Sequence, residues 1–156
     1  MLSRPRQTVL FLCTGNYYRS RFAEILFNWR AAKTGLNWRA ESRGLALDPM
    51  NPGCLSRFTV SHLSDLGIPL EEYQRLPQDL TIEDLKAVHH VVAVKRTEHF
   101  PLMTKRFPEW LDKVEFWEVH DIDCSDPKFA LPHLEREVEG LLDRLSSLQN
   151  GARSAG

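Results

Sequence analysis

The chain has 156 residues, 42% of them hydrophobic and 26% charged, with a formal net charge of −1. That length fits one domain able to bury roughly two-thirds of its unfolded surface without metal or disulfide staples. The balanced charge excludes a general pull toward nucleic acid or an anionic membrane, so neither partner is expected and any basic site must be local.

In chain order, the continuous apolar run from Thr8 to Leu12 predicts a buried strand. Phe22, Ile25, Leu26 and Trp29 follow at i, i+3, i+4 and i+7, one face of a helix that stops near Gly35. Asn37 to Ser42 is a weaker strand. Leu55, Phe58, His62 and Leu66 mark a second helix, starting near Pro52 and stopped by Gly67. Thr81, with Asp84 three residues on, signals a capping box and a short helix. His89 to Val94 is a third strand, "TEHFPLMTKRF" a helix despite Pro101, and Val114 to Val119 a fourth strand. The last helix carries Leu134, Val138, Leu141, Leu145 and Leu148 on one stripe, and the composition of residues 150–156 predicts a frayed tail.

This alternation predicts an α/β fold: a single doubly wound domain over residues 1–149, with a four-stranded parallel sheet and helices on both faces. Such sheets bind ligands at the carboxyl ends of their strands. Cysteine usage points to a reducing compartment, since Cys13, Cys54 and Cys124 are widely separated and contain no C-x-x-C pair. The apolar run after Arg4 and Arg6 is too short for a signal peptide, and no segment approaches the roughly 18 apolar residues of a membrane span. A cytoplasmic protein is expected.

Between the first strand and the first helix lies "CTGNYYRS", Cys13 to Ser20. A loop of this length can curl around one tetrahedral oxyanion, with its N–H groups and the helix N-terminus pointing inward. Gly15 and Asn16 tolerate the positive φ that the curl requires. Arg19 can offer a planar fork to two phosphate oxygens, and the same positive surroundings favour a thiolate at Cys13.

These residues resemble the signature of the low molecular weight protein tyrosine phosphatases, approximately C-x-G-N-x-C-R-S-P, which Cys13, Gly15, Asn16, Arg19 and Ser20 match position by position. The resemblance extends over nearly the whole chain, including "SRG" at Ser42 to Gly44 and "DP" at Asp126 to Pro127. It implies a sheet of order 2-1-3-4 and a phosphate loop formed by Thr14, Gly15, Asn16, Tyr17, Tyr18, Arg19 and Ser20. It further implies Cys13 as nucleophile, Arg19 as phosphate clamp, Asn16 as a brace, Ser20 as a donor to the thiolate and Asp126 as general acid. Neither metal nor cofactor is implied. The substrate would be a phosphorylated protein or a small aryl phosphate, hydrolysed through a phosphocysteine to inorganic phosphate.

Two departures stand out. Tyr18 replaces the signature's second cysteine, which can trap an oxidised nucleophile, and Arg21 replaces its proline. "DPKFALP" also lacks the usual aromatic turn after the Asp-Pro pair, so Tyr17 and Tyr18 become candidates for the aromatic wall. The segment "HDIDCSDP" offers three acids, Asp121, Asp123 and Asp126. In the order 2-1-3-4 the fourth strand lies about 10 Å from the first, so the loop must reach across; Asp126, with its proline neighbour and longer reach, is preferred, and Asp123 is the alternative.

Other features read as structural. Cys54 and Cys124 are incidental thiols, His89 and His90 open a strand and are partly exposed, and Arg21, Arg30 and Lys33 form a solvated helix face. The tryptophans are packing residues. The acidic run lacks the glycine and glutamate of a calcium loop. Two rival functions remain: an arsenate reductase-like enzyme, which needs further cysteines as a relay, and a non-enzymatic phosphate- or phosphoprotein-binding module, which needs no acid.

Overall fold

The computed structural model describes residues 5–155, with residues 152–155 as backbone only. Four strands, β1 (Gln7–Cys13), β2 (Trp38–Gly44), β3 (His90–Ala93) and β4 (Val114–Phe116), form a sheet of order β2-β1-β3-β4 in which every pairing is parallel. Five α-helices complete the order along the chain: α1 (Arg19–Thr34), α2 (Arg57–Asp65), α3 (Ile82–Ala87), α4 (Arg96–Arg106) and α5 (Pro127–Ala155). This is the doubly wound architecture that the alternation of patterns predicts.

β1 is central, and its residues face both layers by simple alternation. Val9, Phe11 and Cys13 join α1, α2 and α5 in one core, with Phe22, Ile25, Leu63, Leu134 and Val138 fully buried around them. Leu10 and Leu12 join α3 and α4 in the other, against Leu85 and Met103. Each fully buried leucine contributes about 2 kcal/mol through lost apolar exposure, which fixes the strand's register.

Local chemistry sets the element ends. α1 stops at Gly35, whose left-handed φ of 68° lets its N–H return to the Ala31 carbonyl. The capping box at Thr81 and Asp84 is formed, and α3 begins there. α2 starts at Arg57 rather than near Pro52, because the Ser56 side chain caps the Phe58 N–H and Gly53 turns the preceding segment through a φ of 76°. β4 ends at Phe116, although Trp117 and Val119 still donate to Ala93 and Val94 of the β3 segment. The stripe of α5 is buried through Leu145, whereas Leu148 is exposed. Helical backbone also carries on through residues 150–155, where the composition predicts a tail.

Candidate active site

Cys13 ends β1 at the carboxyl edge of the sheet, between Gly44 of β2 and the end of β3, where the chain's winding reverses direction. The turn that follows approaches β2 closely. A Cβ on Gly44 would lie 2.8 Å from the Thr14 carbonyl oxygen and 3.1 Å from the Asn16 Cβ, so only glycine lets the loop sit this close. Asn16 takes a positive φ of 51°, as the curl requires. Among the described residues, the N–H groups of Gly15, Asn16, Tyr17, Tyr18 and Arg19 donate to no protein acceptor. They form a concave set of donors at the start of α1, the arrangement that holds an oxyanion. Cys13 is buried, with its Sγ 2.9 Å from the Ser20 hydroxyl.

A polar network braces the loop from behind. The Asn16 amide donates to the Ser20 and Ser42 hydroxyls, both at 2.9 Å, and its oxygen accepts from Arg75 at 2.9 Å and the Gln78 N–H at 3.0 Å. Ser42 donates to Glu24 at 2.5 Å, and Glu24 pairs with Arg21 at 2.8 Å and Arg75 at 3.3 Å. Arg21 is fully buried and also donates to the Tyr73 carbonyl. It is therefore part of the brace, not of the solvated helix face expected from its spacing with Arg30 and Lys33. The apolar pattern of α1 hides this, because buried charge is recognisable only once its partners are in place.

Arg19 is buried beneath the opposite side of the loop. Its Nη1 donates to the Val119 carbonyl at 3.1 Å, while Nη2 meets Glu98 at 2.7 Å and Asp121 at 3.3 Å. Glu98 also accepts from the Thr14 hydroxyl and lies 3.1 Å from His99 Nε2. The Lys95 N–H donates to His99 Nδ1 at 3.0 Å, which leaves Nε2 as the protonated nitrogen of a neutral ring. Burial holds His99 below its ordinary pKa. Burial works against the Glu98 charge as well, but hydrogen bonds from His99, Arg19 and Thr14 prevail and keep the carboxyl well below the carboxylate range. Glu98 and His99 went unread in the sequence. Their signal was position, as they lie in the first turn of α4, the helix that follows the carboxyl end of β3.

Tyr17 is half-buried, and its hydroxyl donates to the Pro52 carbonyl at 2.6 Å. Tyr18 is buried against Phe58 of α2, with ring centroids 6.4 Å apart, and so cannot form the aromatic wall expected of it. Of the three aspartates, Asp121 contacts Arg19 and its own loop, through the Ile122 N–H at 2.8 Å. Asp126 caps α5 through one oxygen, which accepts from the Lys128 N–H at 3.0 Å. It also lines a groove of about 230 Å³ with Phe58, His62, Asp65 and Leu131. Asp123 is exposed. Cys54 and Cys124 are free thiols, and Cys124 lies 3.6 Å from the Lys95 ammonium.

Comparison with known proteins gives the family and the fold. The family model described as low molecular weight phosphotyrosine protein phosphatase matches residues 8–150. A low molecular weight protein tyrosine phosphatase from T. tengcongensis is 28% identical with a TM-score of 0.71, over 90% of this chain and 98% of that one. The solution structure of one from Bacillus subtilis is 25% identical with a TM-score of 0.72, covering 90% and 98%. The YwlE arginine phosphatase from Geobacillus stearothermophilus shares the fold at 24% identity and a TM-score of 0.71, covering 96% and 97%. No curated protein sequence matches the chain.

Proposed function

The chain belongs to the low molecular weight phosphotyrosine protein phosphatase family, a family of cysteine-dependent phosphatases, and we propose that its own catalytic centre is Cys13 within the Thr14–Ser20 cradle, clamped by Arg19. One observation carries this reading: the Cys13 thiol sits at the base of a ring of free backbone donors, with the Ser20 hydroxyl at 2.9 Å and a buried guanidinium alongside.

In the first step the Cys13 thiolate attacks phosphorus in line. The loop N–H groups and Arg19 hold the equatorial oxygens, the ester P–O bond breaks, and a carboxylic acid protonates the leaving oxygen. In the second step water attacks the phosphocysteine, the P–S bond breaks, and the same carboxylate takes the water's proton. Ser20 donates to the thiolate when it is the leaving group. We assign the acid to Asp126. Its second oxygen has no partner among the described residues, whereas both oxygens of Asp121 are engaged, one by Arg19 and one by the Ile122 N–H. The contact with Arg19 keeps Asp121 as the second candidate.

The substrate class is a phosphorylated protein side chain or a small aryl phosphate, and the product is inorganic phosphate. The half-buried ring of Tyr17 supports an aromatic substrate. A cytoplasmic setting is supported by the absence of any disulfide among the three cysteines, and no helix of the described residues is long and apolar enough to cross a membrane. The test is turnover of p-nitrophenyl phosphate, phosphotyrosine and phosphoarginine by the parent, Cys13→Ser and Arg19→Lys. The expected result is hydrolysis by the parent and its loss in both variants, with phosphate binding retained by Cys13→Ser. Turnover within tenfold of the parent in Cys13→Ser would sink the covalent mechanism. Phosphate binding without turnover by the parent would instead favour the binding module.

A further inference from the structure

Tyr18 occupies the middle of the phosphate loop with only 6% of its surface exposed, yet among the described residues its hydroxyl has no hydrogen-bond partner. A buried hydroxyl without a partner weakens a fold, and phenylalanine would fill the same space without that cost. The packing of the residue does not use the hydroxyl. Its ring meets Phe58 edge-on, and its backbone carbonyl accepts from the Thr59 hydroxyl at 3.0 Å. Phe58, which the ring meets, lines the same groove as Asp126, so Tyr18 stands on the Asp126 side of the loop, and the charges that act on the phenol are those of Asp121, Arg19 and Asp126. Burial and the Asp121 charge push the phenol up to about 12, which keeps it a proton donor at any physiological pH.

We propose that Tyr18 is a positioning residue for the general acid: when substrate fills the cradle and the aspartate loop settles over it, the Tyr18 hydroxyl donates to one oxygen of the acid carboxyl and leaves the other aimed at the leaving group. In the first step the carbonyl oxygen of the protonated acid accepts from Tyr18 while its O–H passes a proton to the leaving oxygen. In the second step the carboxylate keeps the same bond while it takes a proton from water. Tyr18 itself neither gains nor loses a proton. The hydroxyl is thus held ready in the free enzyme for a bond made during turnover. This inference rests on the reading of Cys13 and the aspartate loop given above.

The experiment compares the full-length parent with Tyr18→Phe on aryl phosphates of graded leaving-group pKa, after Cys13→Ser has shown that the turnover belongs to this site. For phenyl phosphate kcat should fall about tenfold, the size of one lost hydrogen bond. The dependence on leaving-group pKa should steepen, KM should stay within twofold, and Tm should hold or rise. When the aspartate whose Asn variant shows the leaving-group-selective loss is already Asn, adding Tyr18→Phe should change kcat no further. An unchanged kcat and leaving-group dependence would overturn the inference, as would an additive loss in the acid-free background. So would a fall in Tm with equal losses for all leaving groups, which is the mark of a purely structural tyrosine. Turnover that survives Cys13→Ser overturns the reading of the site itself, and this inference with it.

Discussion

Glu98 grips Arg19 end-on: Oε2 lies 2.7 Å from Nη2 and Oε1 lies 3.4 Å from Nη1. Together with the Val119 carbonyl, this fixes the plane of a guanidinium that, in the proposed mechanism, meets phosphate as a fork. Glu98→Gln removes the charge and one acceptor while nearly preserving shape. The expected outcome is a fall in kcat/KM of roughly 10- to 100-fold, about 1.4 to 2.7 kcal/mol of transition-state stabilisation. It should also destabilise the fold by roughly 1 to 2 kcal/mol, less than for a fully buried pair, because Glu98 is partly exposed and Arg19 keeps Asp121 and the Val119 carbonyl. Steady-state kinetics with urea unfolding checks both, and parent-like kcat/KM would show that Arg19 holds its orientation without Glu98.

His99 and Glu98 of the same cluster, with Glu115 elsewhere on the sheet, make stability fall toward acid in two stages. His99 titrates below its ordinary 6.5 in the folded protein, so as pH drops through 6.5 the unfolded chain takes up a proton that the native state refuses. Glu98, and Glu115 in its pairing with His90 and Arg144, lie below the ordinary 4.5 when folded; their contribution is complete above that pH and is lost as pH falls further. Tm should be level above pH 7, decline gently from about 6.5 and drop more steeply below about 4.5. Glu98→Gln should flatten part of the steep limb. A Tm constant down to pH 4 contradicts this account.

If Asp126 supplies the proton, Asp126→Asn should slow phenyl phosphate by 10²- to 10⁴-fold in kcat and an activated aryl phosphate far less. Asp121→Asn should chiefly change KM, because its carboxylate contacts Arg19 Nη2 at 3.3 Å, where an incoming phosphate also competes. Kinetics on a leaving-group series separates the two. A selective loss in Asp121→Asn or Asp123→Asn would reassign the acid while leaving the covalent mechanism intact.

Asn16 joins the loop to β2 and to the segment around Arg75 through three hydrogen bonds, and a fourth goes to Ser20. Asn16→Ala should cost roughly 2 to 4 kcal/mol, since it orphans buried partners and puts alanine, which tolerates the left-handed region less well than asparagine, at a φ of 51°. Arg75→Met should cost less stability but lower kcat, because Asn16 and Glu24 each keep other partners. Thermal melts beside kinetics provide the measurement. Equal stability losses in the two variants would place the weight of the network on Arg75.

Gly44→Ala should disturb the cradle by crowding its backbone and the Asn16 Cβ. The added methyl would meet the Thr14 carbonyl oxygen at 2.8 Å, and that backbone must move for it to fit. A loss of roughly 1 to 3 kcal/mol in stability is expected from such overpacking, with kcat falling in parallel. Unchanged phosphate affinity would mean that the loop absorbs the shift elsewhere.

What could be read from the chain alone was short-range. The apolar run of β1, the loop that follows it, the turn residue Gly35 and the Thr81–Asp84 box each act within a few residues, so the order of elements and the Cys13–Arg19 spacing were legible without coordinates. Helix spacing also predicted the α5 stripe, but not that it loses cover before Leu148 or that the helix continues to residue 155. The tertiary structure alone decided which groups the loop residues meet. Glu98 reaches Arg19 across 79 residues of chain and Arg75 reaches Asn16 across 59. It likewise turned Arg21 inward and buried Tyr18 against Phe58. The physical reason is that charge and hydrogen-bonding capacity have no period in a sequence: a buried arginine and a solvated one look alike until the fold brings, or fails to bring, a carboxylate to it.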